Sequence, residues 1–173
     1  PLVGMLTSSA ASRGTAVKLE VMSNLAVDIW VVHPPGENGA TSEVKTKLGS
    51  GRALPPTDGA HLGDLVVMEN AQLGARYEKL LEFGEPGSTI TIDHAFKEGS
   101  LRINVTPRPL VAVKVYLEGQ ERGRVPGTIG FYEGTKMLEL RSKAFREPKL
   151  VEVQIRPDSV LELNVDVRDV LNE

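Results

Sequence analysis

The sequence predicts an all-β chain of two tandem small antiparallel β-sandwich modules packed against each other. Three observations carry this. Apolar and polar residues alternate with period two along most of the chain, Gly and Pro turn signals separate the alternating runs, and one order of runs and turns occurs twice.

Taken in order, residues 1–15 read as a linker, because Thr7-Ser8-Ser9-Ala10-Ala11-Ser12 has no sustained period. Its apolar start, Pro1-Leu2-Val3-Gly4-Met5-Leu6, is compatible with the trimmed tail of a membrane anchor lying outside this chain. Residues 16–98 read as the first module. It opens on Lys18-Leu19-Glu20-Val21 and Val27-Asp28-Ile29-Trp30-Val31, continues through a long loop insertion beginning His33-Pro34-Pro35-Gly36, and closes on Thr89-Ile90-Thr91-Ile92. Residues 99–169 read as the second, from Leu101-Arg102-Ile103-Asn104-Val105 to Leu161-Glu162-Leu163-Asn164-Val165-Asp166-Val167, with residues 170–173 as a C-terminal tail. Each run puts its aliphatics on one face, which a helix with its 3.6-residue period cannot do.

One segment competes with this pattern. Leu73, Tyr77, Leu80 and Leu81 have roughly helical spacing, yet residues 71–83 align with residues 143–153, where Pro148 forbids a continuous helix. A turn leading into a strand is the expectation for both.

The repetition is read from five segments in preserved order. Glu85-Pro86-Gly87-Ser88-Thr89-Ile90-Thr91-Ile92 aligns without a gap with Arg156-Pro157-Asp158-Ser159-Val160-Leu161-Glu162-Leu163. Leu80-Leu81-Glu82-Phe83 aligns with Leu150-Val151-Glu152-Val153 with one residue of slack, and Gly51-Arg52 with Gly123-Arg124. Lys18-Leu19-Glu20-Val21 aligns with Arg102-Ile103-Asn104-Val105, and Val27 to Val31 with Val113-Lys114-Val115-Tyr116-Leu117.

These residues carry a family resemblance. Gly123-Arg124-Val125-Pro126, then Glu133-Gly134-Thr135 leading into Met137-Leu138-Glu139-Leu140, then two closing strands, resemble the PEGA domain, a small β module often found in tandem. The first copy matches less closely, through residues 51–56 and Asp58-Gly59-Ala60-His61, and neither copy has the full Pro-Glu-Gly-Ala signature. The resemblance implies a compact sandwich-like module of the bacterial envelope, found in the extracytoplasmic part of membrane Ser/Thr kinases. It implies binding or scaffolding, and supplies no catalytic residue.

Composition sets limits of its own. The chain has 20 Lys plus Arg against 23 Asp plus Glu, a net charge of −3, which argues against a general nucleic-acid binder. The absence of cysteine removes disulfides, thiolate metal ligands and cysteine nucleophiles. No Gly-x-Ser-x-Gly elbow occurs, and Gly49-Ser50-Gly51-Arg52 lacks the Lys of a phosphate loop. The three histidines, His33, His61 and His94, have no spacing that pairs them on one strand or helix.

No catalytic, cofactor or metal residue is therefore assigned. A metal-dependent enzyme, the least favoured reading, would require the histidines to converge. The expected interface residues are Trp30 and Tyr116, equivalent rings on the polar faces of their strands, with Phe131, Tyr132, Lys136 and Arg141 as a mixed aromatic and cationic surface. Such a surface suits a protein or an anionic cell-envelope polymer. The expected role is a non-catalytic binding or scaffolding segment outside the cytoplasmic membrane. The alternative is a cytoplasmic or periplasmic module that self-assembles as a homo-oligomer.

Overall fold

The structure is a computed structural model that describes residues 14–35 and 42–173. Most of the expected N-terminal linker and the middle of the loop insertion lie outside the described residues.

The described residues form strands and no helix: β1 (Ala16–His33), β2 (Val44–His61), β3 (Leu65–Asn70), β4 (Ala75–Leu80), β5 (Thr89–His94), β6 (Glu98–Thr106), β7 (Val113–Leu117), β8 (Gln120–Val125), β9 (Thr128–Tyr132), β10 (Gly134–Arg141), β11 (Lys149–Ile155) and β12 (Val160–Asp166). The contested residues 71–83 form a turn followed by β4, so the strand reading holds over the helical one. The chain divides into two compact units. The first comprises residues up to Val67 together with Glu78–His94, and the second comprises Met68–Tyr77 and Ala95–Glu173. The tip of the β3–β4 hairpin thus groups with the second unit, which departs from a single boundary between residues 98 and 99.

In the second unit, β11-β10-β7-β8 form one sheet and β12-β6-β9 another. Between them lies a core to which β6 contributes Leu101 and Ile103, β7 contributes Val113, Val115 and Leu117, and β10 contributes Leu138 and Leu140. The first unit follows the same path with fewer breaks. Its β1 is 18 residues long and pairs with β2 along its whole length, so strands equivalent to β6 and β7 run on as one. A ladder irregularity between Met22 and Val27 interrupts β1 at the place equivalent to the gap between β6 and β7. The sheet order is β2-β1-β3-β4, with β5 alongside the first half of β1.

The duplication is visible in the ladders. β5 lies parallel to β1, with Leu19 opposite Ile90 and Val21 opposite Ile92, and β12 lies parallel to β6, with Leu101 opposite Leu161 and Ile103 opposite Leu163. Each unit therefore holds one parallel pair beside antiparallel ones: β1–β2 in the first, and β6–β9, β7–β8, β7–β10 and β10–β11 in the second. The turns before β5 and β12 also match. The Ser88 and Ser159 hydroxyls donate to the carbonyls of Glu85 and Arg156, and Gly87 and Asp158 take left-handed φ values of 73° and 54°.

These ladders correct the sequence alignment. Leu19 is equivalent to Leu101, not Ile103, because each faces the same position of the parallel partner strand. A slip of two residues keeps every side chain on its face, so alternation cannot detect it. Gly49, not Gly51, is equivalent to Gly123, since Ile29 pairs with Gly49 and Val115 with Gly123. Leu62-Gly63-Asp64, not Asp58-Gly59-Ala60, matches Glu133-Gly134-Thr135. The amides of Leu62 and Glu133 donate to Thr15 and Lys97, and Gly63 and Gly134 have φ of 93° and 120°.

The C-terminal residues read as a tail are part of the fold. Val170 is buried, and Leu171 forms a β-bridge with Phe145. The expectation missed this because two residues are too few to show a period.

Candidate functional site

Trp30 lies on β1 directly after a break in the β1–β2 register between Ile29 and Trp30, and Tyr116 lies on β7 directly after the matching break between Val115 and Tyr116. Both rings are half-buried on the outer faces of their strands. Each is covered by a cation from the adjacent strand. Lys45 and Lys47 of β2 place their Nζ atoms 4.4 and 5.7 Å from the Trp30 ring centre, and the Arg141 guanidinium of β10 lies 4.2 Å from that of Tyr116. Acidic neighbours hold two of these cations: Asp28 meets Lys47 at 2.9 Å, and Glu139 accepts from Arg141 at 2.6 and 3.0 Å. The result at both places is a flat ring capped by positive charge.

The rest of the expected surface divides. Tyr132 is half-buried and Arg141 exposed, but Phe131 and Lys136 are only 3% and 6% exposed. Both corrections follow from parity. Phe131 shares the inward face of β9 with Ile129, and Lys136 shares that of β10 with Leu138 and Leu140. The Lys136 stem runs across Gly74, where an added Cβ would lie 2.6 Å from Lys136 Cε. Its ammonium donates to the carbonyls of Tyr132 and Gly134 at 2.7 and 2.9 Å. Burial lowers its pKa from 10.5 to about 8, with Glu133 pulling the other way.

Two of the three histidines converge, joined by a residue the sequence reading passed over. His33 ends β1, His61 ends β2, and Asp64 closes the turn leading into β3. One ligand-capable atom from each lies within 4.8 Å of the others. Asp64 is 2% exposed; its Oδ1 is 2.6 Å from His33 Nδ1, and its Oδ2 accepts the His61 backbone N–H at 2.8 Å. His94 is separate, at the end of β5 and opposite Ser23, ten residues back along β1 from His33. The available signal for Asp64 was the His-x-x-Asp spacing around Gly63, which brings a side chain back to the preceding strand end.

A cleft of about 410 Å³ opens in the second unit where the chain passes from β6 to β7. Ile103, Val105, Val113 and Val125 line it, together with the fully exposed Leu110.

No protein-family model matches the chain, and no curated protein does. Among solved structures it is similar to the Bacillus anthracis TIE protein, at 12% identity and a TM-score of 0.31, over 88% of this chain and 34% of that one. The chain thus spans about a third of that structure's length. It is similar to GBS52, the minor pilin of Streptococcus agalactiae, at 10% identity and a TM-score of 0.32, over 86% and 94% of the two chains. The shaft pilin spaA of Lactobacillus rhamnosus GG follows at 10% identity and 0.23, over 88% and 97%. Likeness of this degree places the chain in none of these groups, and the all-β architecture stands on the chain's own strands.

Proposed function

We propose that this chain is a non-catalytic binding and scaffolding segment of a larger bacterial envelope protein, built from two PEGA-like modules and held outside the cytoplasmic membrane. The observation that carries it is the cation-capped ring that recurs after the same register break in both copies, Trp30 under Lys45 and Tyr116 under Arg141. Among the described residues it places an aromatic ring and a cation at the same point of both copies. A flat ring beside positive charge suits an anionic partner, since carboxylate or phosphate groups pair with the cation while the sugar or chain packs on the ring. The envelope placement rests on the PEGA resemblance.

Trp30 is the only tryptophan in the chain, so its emission reports on this surface directly. Titrating the chain with a purified anionic cell-wall polymer should shift or quench that emission in a saturable, salt-sensitive way, with a neutral glucan as control. Unchanged emission with the anionic polymer, or an equal response to the neutral one, would contradict the assignment.

A further inference from the structure

We propose that His33, His61 and Asp64 form a binding site for a divalent transition-metal ion of the zinc type. The site would tie the start of the long loop insertion to the turn between β2 and β3. This inference is independent of the polymer-binding reading and concerns the first copy alone.

The chemistry of the donors selects the ion. Two imidazoles and one carboxylate match zinc, nickel, cobalt or copper, whereas magnesium and calcium favour oxygen ligands throughout. Three protein ligands with a free position are the common form of an open zinc site. Here the two imidazole side chains are 25% and 20% exposed and the carboxylate 3%, so the remaining position faces solvent.

The geometry is close to what an ion needs. Ligands of a tetrahedral zinc lie about 3.3 Å apart, given bonds of about 2.0–2.1 Å. The group's ligand atoms lie within 4.8 Å of one another, with His61 Nδ1 at 3.8 Å and His33 Nδ1 at 2.6 Å from Asp64 oxygens. Small side-chain rotations suffice to close one distance and open the other. The backbone N–H of His61 already orients the carboxylate, the kind of support that metal-ligating carboxylates carry.

A purely structural account leaves one atom unexplained. The His33 ring and the His61 backbone together satisfy the buried carboxylate of Asp64. His61 Nδ1 nonetheless lies buried beside that carboxylate, beyond hydrogen-bond distance and without a partner. A buried ring nitrogen normally has a donor or acceptor, and a bound cation supplies what it lacks. Nor does the module require these residues: the positions of His61 and Asp64 are held in the second copy by Tyr132 and Thr135, which follow from the pairing of Ala16 with His61 and of Glu98 with Tyr132.

The test is calorimetric titration of the tag-free chain with zinc chloride and, separately, magnesium chloride. It is paired with ¹⁵N NMR of the histidine rings. The expected result is one zinc per chain, no magnesium binding, and ring shifts at His33 and His61 but not His94. His33→Gln and Asp64→Asn should each weaken zinc binding at least about tenfold, while His94→Gln leaves it unchanged. Absence of saturable binding, unperturbed His33 and His61 rings, or affinity retained in a folded His33→Gln chain would overturn the proposal. The ring signals of the unaltered chain decide the matter even if a variant does not fold.

Discussion

Lys136 shows how a single side chain can obey the alternation of its strand against its own chemistry. Its parity places it inward, and the cost appears as a depressed pKa of about 8. Between about 8 and 10.5 the unfolded chain holds a proton that the folded chain has lost, so this group's contribution to stability rises with pH across that window. Below it, both states are charged and the folded state bears the full penalty of burying the ammonium. Lys136→Met removes the titration while keeping an unbranched stem over Gly74. Urea denaturation at pH 7.5 and pH 10.5 should therefore show the unaltered chain gaining stability relative to the variant at the higher pH. A constant difference between the two would mean that the ammonium is solvated in the folded chain.

At the scale of elements, the matched positions of the two copies are fixed by contact as well as by turn chemistry. Gly49 and Gly123 occupy equivalent places opposite Ile29 and Val115, and in both the missing Cβ makes room for a residue of the following segment. At Gly123 an added Cβ would lie 2.7 Å from Cγ1 and 2.8 Å from Cδ1 of Ile129, whereas at Gly49 it would meet only the terminal Cδ1 of Leu54, at 2.7 Å. Gly123→Ala should thus lower stability by about 1–3 kcal/mol through overpacking, and Gly49→Ala by less, because a side-chain tip can swing aside. Gly130→Ala serves as the control, since its nearest neighbour would be 3.8 Å away. Chemical denaturation orders the three, and a Gly49 cost equal to or above that of Gly123 would contradict the packing described. The first copy also carries three residues without counterparts, Glu82-Phe83-Gly84, between Leu81, which meets the amide of Gly63, and the turn before β5. Phe83 within them is 84% exposed. Aligning Leu80 to Phe83 with Leu150 to Val153 hid this insertion, because both stretches look like closing strands when judged by composition.

For the whole molecule, the sequence disclosed the architecture far better than the site. Alternation with period two and the repeated Pro-x-Ser turns were enough to reveal an all-β chain that traverses one topology twice. The turn and strand at residues 71–80 followed from the repeat rather than from local periodicity. Alternation fixes register only modulo two, which is why it sets Leu19 against Ile103 and Gly51 against Gly123, each two residues from the true match. It also passed over the parity of Phe131 and Lys136, whose residue types suggested a surface while their positions dictated the interior. The approach of His33 to His61 and Asp64 depends on two strand ends meeting across a sheet, a long-range consequence of pairing, and only the spacing of His61 and Asp64 is local.

The central claim, one folding pattern laid down twice in the same register, is most directly tested by cross-linking. The chain has no cysteine, so paired cysteines report without background. Glu20 faces Thr91 and Arg102 faces Glu162 across the two parallel ladders, and both pairs are linked by their side chains, at 3.0 and 2.9 Å. Neighbouring strands lie about 4.8 Å apart, within the span of a disulfide, while partners displaced by two residues are beyond it. Oxidation of Glu20→Cys/Thr91→Cys and of Arg102→Cys/Glu162→Cys should give an intramolecular disulfide in each, and Glu20→Cys/Asp93→Cys should give none. Cross-linking of the displaced pair, or of only one of the two matched pairs, would show that the copies do not share a register.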